Sequence, residues 1–265
     1  MNTPLQEKKI SGINTIGVMT LMEREIGRFL AVYVQTIIAP VVTTLLFYTV
    51  FALAFGGLAR TVGDVPFLTF LAPGLIMMTM VQNAFANTSS SLIISKVQGN
   101  IVDVLMPPLS YAEFYFSYLT GGIVRGMMVG MACIAAIFVF VPLPVHSVLL
   151  IALYALLGTM MLSNLGILAG LWADKFDHMA AITNFIITPL TFLSGTFYSV
   201  KDLPEFWNIL AYYNPFFYMI DGFRSGFTGV SDGSILIGLS ALLAINLLLS
   251  GLSLILIKTG YKLKS

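Results

Sequence analysis

The chain has 265 residues, of which 58% are hydrophobic and only 9% charged, and its formal net charge is +1. A soluble domain carries roughly 25% charged residues, because its surface has to be solvated by water. This composition therefore predicts an integral membrane protein and excludes a basic nucleic-acid-binding protein. The single cysteine, Cys133, can form no internal disulfide, and no metal site is expected.

Residues 1–28 are predicted to be cytoplasmic, with a polar amino terminus followed by an interfacial helix over about 14–28. The terminus lacks the apolar core of a cleavable signal peptide. In the interfacial helix, Arg24 and Arg28 are four residues apart, so they share one face on which they could meet lipid phosphates.

A membrane-crossing helix needs about 20 consecutive apolar residues, and reading between charges predicts six such spans. They form an all-α transmembrane domain over 29–260, followed by a cytoplasmic tail over 261–265. Pro40, Pro73 and Pro189 lie inside spans and are predicted to kink them. The spans lie near 30–55, 66–92, 112–141, 147–171, 179–198 and 235–257.

The distribution of basic residues predicts the orientation, because positively charged loops tend to stay in the cytoplasm. With both termini inside, nine Lys and Arg residues fall on the cytoplasmic side and three on the other. The nine are Lys8, Lys9, Arg24, Arg28, Lys96, Lys175, Lys258, Lys262 and Lys264. The three are Arg60, Lys201 and Arg224.

The second span ends in a polar run that includes Asn83 and Asn87. These side chains either hold helices together or line a polar passage. Beyond the run, residues 96–106 predict a short amphipathic helix that ends at Pro107 and Pro108. It either docks a cytoplasmic partner or lies flat on the lipid surface. The predicted partner contacts are Gln98, Asn100, Ile101, Asp103, Val104 and Leu105.

Arg125 is the one charged residue predicted to lie deep within a span. No acidic residue lies at the same depth in another span. Its partner is therefore expected to be a carbonyl, a polar side chain or an anionic group of a substrate. The sequence leaves open whether the role of Arg125 is structural or substrate-binding.

The segment 202–224, "DLPEFWNILAYYNPFFYMIDGFR", interrupts the apolar runs with acids, aromatics and prolines. Asp202 and Glu205 predict a capping box for a short helix. Asn214-Pro215 is predicted to end that helix, and the apolar residues 216–220 to begin a second one. We expect a helical hairpin that dips into the outer leaflet. An aromatic anchor at the membrane surface is the alternative, since Trp and Tyr favour that depth.

Three stretches identify the chain as similar to the permease subunits of type-2 ABC exporters. They are "TLMEREIGRFLAVYVQTIIAPVVTTLLFYTVF", "LAPGLIMMTMVQNAFANTSSSLIISKVQGNIVDVLMPPLS" and "IITPLTFLSGTFYSVKDLPEFWNILAYYNPFFYMIDGFR". They resemble the family's interfacial helix with its first span, its second span with a coupling helix, and its fifth span with an outer re-entrant hairpin. The resemblance covers residues 15–260. It is closest to a branch of small bacterial inner-membrane permeases, which share "GGIVRG" and "VHS".

This resemblance implies a homodimer in the inner membrane, with two separate ATPase chains that bind ATP and Mg. No cofactor is expected in this chain, which also lacks the phosphate-binding motif G-x-x-x-x-G-K-[ST]. The expected function is ATP-driven export of a lipid-like, glycan or drug-like substrate. The implied pathway residues are Asn83, Asn87, Arg125 and Asn184. The implied outer gate residues are Phe206, Trp207, Tyr213 and Phe216.

Two other functions remain open, an ion-coupled secondary transporter and a membrane scaffold with no transport activity. A secondary transporter normally shows coupling acids or broken helices in paired repeats. The sequence places no acidic residue at the midplane of a span. A scaffold would not need a protruding coupling helix.

Overall fold

The computed structural model describes residues 12–55, 61–63 and 65–263, apart from the side chain of Leu105. Most of the predicted polar amino terminus lies outside these residues, as does the end of the predicted carboxyl-terminal tail. Some of the basic residues counted for the orientation therefore lie outside the described part of the chain.

The first helix, α1, is Thr15–Leu30 and corresponds to the predicted interfacial helix. It begins at Asn14, whose Oδ1 accepts a hydrogen bond from the backbone N–H of Gly17 at 3.0 Å. This bond satisfies one of the donors that a helix start leaves free. The helix packs with one side against the helix Tyr111–Phe138 (α5). The residues on that side are Leu21, Glu25 and Phe29.

Among the described residues, five helices are long and apolar enough to cross a membrane, and each coincides with a predicted span. The largest difference is at α3, which continues to Val97 where the sequence predicted an end near 92. The extension is stabilised by Lys96, whose Nζ donates to the carbonyl of Leu171 at 2.9 Å. The five are Val34–Phe55, Phe67–Val97 (α3), Tyr111–Phe138 (α5), Val148–Trp172 (α6) and Ile235–Thr259 (α11).

The predicted span at 179–198 differs most from the structure. A continuous helical run over 176–192 consists of α7 (Phe176–Ile182), a π-helical turn and α8 (Thr188–Phe192). The run ends early because the chain turns at Gly195, where φ is +76°. Its 17 residues extend about 25 Å, near the lower limit for crossing a bilayer.

The first span and the 176–192 run share a local distortion. The first span begins with the π turn Val34–Ile38 and continues as α2, Ala39–Phe55; the run contains the π turn Thr183–Ile187. Each π turn comes two residues before a proline, in the segments "VQTIIAP" and "TNFIITP". The backbone N–H of the residue before each proline donates to the carbonyl five residues earlier, whereas in a regular α-helix it donates to the carbonyl four residues earlier. The expected kinks at Pro40 and Pro189 are thus accompanied by π turns.

The aromatic segment forms two short helices, α9 (Glu205–Tyr212) and α10 (Pro215–Thr228). The predicted capping box is wrong, because Asp202 ends a separate 3-10 turn and no side chain caps α9. Helix α10 begins at Pro215, one residue before the predicted start of the second helix. Asn214 caps it by accepting from the N–H of Phe216 at 3.0 Å.

The bundle is arranged around α3, which packs mainly against α5 and α6. Helix α10 inserts between α3, α6 and α11, so the second half of the aromatic segment belongs to the core. A two-stranded antiparallel hairpin precedes α3, with β1 (Thr61–Val62) paired to β2 (Val65–Pro66). Below, the end of the bundle that carries α1 and α4 (Ile101–Leu105) is called the α4 end, and the opposite end is called the α9 end.

Candidate functional site

A groove of about 490 Å³ lies between α2, α3 and α8. Its lining includes seven polar side chains from three helical segments. The Thr44 and Thr79 hydroxyls are 2.7 Å apart across the groove, and Gln82 Nε2 donates to Thr191 Oγ1 at 3.3 Å. The polar lining residues are Gln35, Thr43, Thr44, Thr79, Gln82, Asn83 and Thr188.

The groove is bordered by a helix that the rest of the chain hardly covers. In the most apolar 18-residue stretch of Val34–Phe55, only 11% of the residues are buried, compared with 83% in the corresponding stretch of α3. The uncovered face carries large aliphatic side chains, so it needs lipid or another protein surface against it. These side chains are Val42, Leu46, Val50 and Leu53.

Arg125 and Asn83, two of the predicted pathway residues, are in direct contact. The Arg125 Nη2 donates to Asn83 Oδ1 at 2.9 Å, and Asn83 Nδ2 donates to the Thr79 carbonyl at 3.0 Å. The partner of Arg125 is therefore a polar side chain, one of the three kinds expected from the sequence. Because Asn83 also lines the groove, it links Arg125 to the groove wall.

Asn87 is fully buried, and its contacts connect α3 to the interfacial helix. Arg28 Nη2 donates to the backbone oxygen of Asn87 at 2.9 Å and to its Oδ1 at 3.0 Å. Glu25 is also fully buried, 3.5 Å from Arg28, and accepts from Ser91 Oγ at 2.8 Å. Sequence reasoning missed this carboxylate. The signal that could have found it is the spacing of three residues between Glu25 and Arg28, which places the two side chains on one face of α1.

Asn184, the fourth predicted pathway residue, does not join this group. It is exposed in the second π turn and lies outside the groove lining. Its neighbours Thr188 and Phe192 line the groove from this side.

The predicted coupling helix is shorter than 96–106, and Ile101 and Val104 on its predicted contact face are buried inside the permease. Helix α4 is a single turn, and Ile101 and Val104 are 5% and 6% exposed because they pack on α1, α3 and α5. The prediction that Ile101 and Val104 contact a partner is therefore wrong. The side chain of Leu105 lies outside the described part of the structure. Gln98, Asn100 and Asp103 are exposed as expected. The exposed apolar side chains are Val97, Val102 and Met106.

A charged clasp holds the α4 end together beside this turn. Lys262 Nζ donates to Asp174 Oδ2 at 2.7 Å, and Lys96 Nζ lies 3.8 Å from the other carboxylate oxygen. The hydrogen bond from Lys262 lowers the pKa of the Asp174 carboxyl below its usual value. The clasp thus ties the chain after α6 to the residues that follow α11.

At the α9 end, Phe206, Trp207 and Tyr213 are exposed, as outer gate residues would have to be. Phe216, the fourth predicted gate residue, differs from these three because it is 3% exposed and packs in the main hydrophobic core. It is buried because α10 inserts into the bundle. An apolar cavity of about 620 Å³ lies beneath α9, and Trp207, Tyr213 and Phe216 line part of it.

Two buried charges in α10 were missed because the sequence placed this segment at the surface. Arg224 is 2% exposed, donates to the carbonyls of Phe70 and Gly195, and stacks 3.7 Å from the centre of the Phe70 ring. Asp221 is 4% exposed and accepts from the backbone N–H groups of Asp232 and Gly233, at 2.9 Å each. These contacts fasten α10 to α3 and to the loop before α11.

Comparison with known proteins gives consistent matches. A family model described as "ABC-2 type transporter" matches residues 17–228. "Inner membrane transport permease YadH" of Escherichia coli K12 is 38% identical over 217 residues, which cover 82% of this chain and 85% of YadH. The permease of the same name from Shigella flexneri gives the same values. "Nodulation protein J" of Sinorhizobium fredii NGR234 is 23% identical over 199 residues, covering 73% of this chain and 75% of that protein.

The family match spans most of the chain, from the interfacial helix to the end of α10. The similarity to YadH covers more than four fifths of both chains. The resemblance inferred from the sequence alone is thereby confirmed. Together with the five long apolar helices, these matches show that the chain is a multi-pass membrane protein and belongs to the ABC-2 type transporter family of permease subunits.

Proposed function

We propose that this chain is the membrane subunit of an ATP-driven exporter in the bacterial inner membrane, with ATP and Mg bound by two separate ATPase chains. The substrate class we expect is lipid-like, glycan or drug-like. The exposed apolar surface around α4 is the observation that carries the proposal, because it offers a cytoplasmic ATPase a place to dock. The names of the YadH relatives support the inner-membrane location.

The proposed orientation has six membrane crossings and both termini in the cytoplasm. The α4 end carries Lys96, Lys175, Lys258 and Lys262, whereas Lys201 lies at the α9 end. This asymmetry supports placing the α4 end in the cytoplasm. The 176–192 run would then be the fifth crossing, and α9 and α10 would form the outer hairpin.

The proposed ATPase contact is the surface formed by Val97, Val102 and Met106, with Gln98, Asn100 and Asp103 beside them. Val102 is 59% exposed and Met106 is 74% exposed. A partner groove that buries two such side chains gains roughly 1.5–3 kcal/mol for each. Ile101 and Val104 fix α4 to the permease itself, so a push on the outward face would be transmitted directly to α3 and α5.

The proposed homodimer contact is the uncovered face of the first span. A second copy placed there would cover the aliphatic side chains of α2 and close the polar groove from the side, which makes the groove a candidate for the transport pathway. A cysteine at Leu46 should therefore cross-link two copies, whereas a cysteine at the equally exposed Leu247 of α11 should not. Cross-linking at both positions or at neither would contradict this interface.

Two valines in α4 provide the main test of function. Val102→Asp places a charge on the proposed docking surface, and we expect at least a tenfold loss of ATPase binding with normal membrane insertion. Val104→Asp buries a charge in the permease itself, so we expect reduced folding or yield. The measurement is pull-down of the ATPase encoded beside this chain, together with ATP-driven transport. Undiminished ATPase binding and transport by the Val102→Asp permease would overturn the docking proposal.

A further inference from the structure

Arg28 and Arg125 come from different helices but meet the same face of α3. Arg28 belongs to α1 and bonds to Asn87, while Arg125 belongs to α5 and bonds to Asn83. Asn83 and Asn87 are four residues apart, so their attachment points are separated by about 6 Å along the helix axis. The two arginines are thus anchored to α3 at points about one helical turn apart.

In the part of the chain that the structure describes, the cluster around these two arginines contains three buried donors and one buried acceptor without a hydrogen-bond partner; the acceptor is Glu25 Oε2, 3.5 Å from Arg28 Nη2. The Nε atoms of Arg28 and Arg125 and the Nδ2 atom of Asn87 are buried and have no hydrogen-bond partner in the described part of the chain. Buried donors without partners are uncommon in native proteins, because each one costs free energy. A ligand with several acceptor oxygens would satisfy them.

The charge balance of this cluster is also incomplete. Glu25 lies 3.5 Å from Arg28, so that pair is close to neutral. Among the residues that the structure describes, no carboxylate lies within 4 Å of Arg125. One positive charge is left at a depth where an unpaired charge is costly. A ligand with a single negative charge would neutralise it.

We infer that Arg28 and Arg125 bind the singly charged phosphate head group of an amphipathic molecule beside the polar groove. Guanidinium groups match phosphate oxygens in geometry and in charge, which favours phosphate over a ligand with a single acceptor atom. Asn83 would place the head group at the groove wall, and the apolar part of the molecule would extend toward the lipid. This inference deepens the proposed function, on which it rests for taking the groove as the transport route.

The test measures binding to the purified permease without any ATPase, so its failure is separate from a failure of the transport proposal. Permease in neutral detergent is mixed with equal amounts of phosphatidylglycerol and phosphatidylcholine, and the retained lipid is measured by native mass spectrometry. We expect the wild-type chain to retain phosphatidylglycerol preferentially. In Arg125→Gln this preference should fall about tenfold, because a charged contact and its hydrogen bonds are lost.

Lys258→Gln is the matched control, since it removes one exposed positive charge from the α4 end of α11. Its preference should equal that of the wild-type chain. An unchanged preference in Arg125→Gln, or an equal loss in Lys258→Gln, overturns the site. Should Arg125→Gln fail to fold, Arg125→Lys decides. It keeps the charge but loses the planar set of donors, and we expect a several-fold weaker preference, whereas a wild-type value contradicts the inference.

A competition arm identifies the source of the phosphate. If glycerophosphoglycerol, a singly charged phosphodiester without acyl chains, displaces phosphatidylglycerol, the site recognises the phosphate group of a free anion as well as that of a lipid. If only an intact anionic lipid stabilises the wild-type permease against heat, the ligand is a lipid head group. If neither molecule distinguishes the wild-type chain from Arg125→Gln, the inference is wrong.

Discussion

Glycines on α6 allow α3 to approach so closely that a single methyl group would not fit between them. A Cβ atom added at Gly166 would lie 2.1 Å from Thr88 Oγ1 and 2.6 Å from the Phe85 backbone oxygen. Small residues commonly mediate such close helix packing in membranes, where lipid supplies no hydrophobic driving force for helix association. The contact between α3 and α6 therefore depends on particular glycines.

We expect Gly166→Ala to destabilise the permease by roughly 1–3 kcal/mol, because the backbone oxygen of Phe85 cannot move without shifting α3. Gly251→Ala on α11 is the control, since a Cβ there has no neighbour within 4 Å. The measurement is the thermal unfolding midpoint in detergent. Equal midpoints for Gly166→Ala and wild type would show that the helices can separate without cost.

The sequence could predict the chemistry of single residues better than their surroundings. Because no acidic residue lies at the depth of Arg125, it predicted a carbonyl, a polar side chain or a substrate anion as the partner, and Asn83 is a polar side chain. It could not predict what covers Ile101 and Val104, because an amphipathic pattern shows which residues share a face but not what packs on it. Those two residues complete the permease's own core at the α4 end.

At the scale of the helices, the two π turns show how proline shapes the groove. Pro40 and Pro189 have no N–H, so the helical hydrogen bond that each would donate is missing. The chain accommodates this with one extra residue in the preceding turn. The same pattern borders the groove on two sides, once in the first span and once in the 176–192 run.

We expect Pro189→Ala to restore the missing hydrogen bond and convert the π turn into regular α-helix. A regular α-helical turn contains one residue fewer than the π turn, so the segment before it would rotate by about 100°. This rotation would turn Asn184 away from its exposed position. The measurement is the rate at which a cysteine at position 184 in the purified permease reacts with a membrane-permeant thiol reagent, with Cys133 replaced by Ala. The rate should change several-fold in Pro189→Ala but not in Pro204→Ala, which lies outside the run. An unchanged rate in Pro189→Ala would show that neighbouring helices, not the proline, maintain the π turn.

Five long spans could be predicted because each is a run of apolar residues as long as a bilayer is thick. The ends were harder to predict, since Lys96 extends α3 by reaching carbonyls at the end of α6. The insertion of α10 was not predicted, because Asp221 and Arg224 indicated a surface segment. Their burial depends on partners far away in sequence, such as Phe70, that no local pattern reveals.

For the molecule as a whole, the 176–192 run decides the number of membrane crossings. An even number of crossings places both termini on one side, whereas five crossings would place them on opposite sides. The run is short, but α9 and the Trp207 side chain beyond it have the aromatic character typical of a membrane surface. Lys175 before the run lies at the α4 end and Lys201 after it lies at the α9 end, which also favours a crossing.

Lys175 and Lys201 flank this run, and both are exposed, so cysteines at these positions test the crossing directly. With Cys133 replaced by Ala, we expect a membrane-impermeant thiol reagent added to intact cells to label position 201 and not position 175. Position 175 should react only after the inner membrane is opened, because the proposed orientation places the α4 end in the cytoplasm. A cysteine at Phe206, which is 71% exposed on α9, should behave like position 201. Labelling of 175 and 201 from the same side would show that 176–192 enters and leaves the membrane on one side, and the permease would then have five crossings.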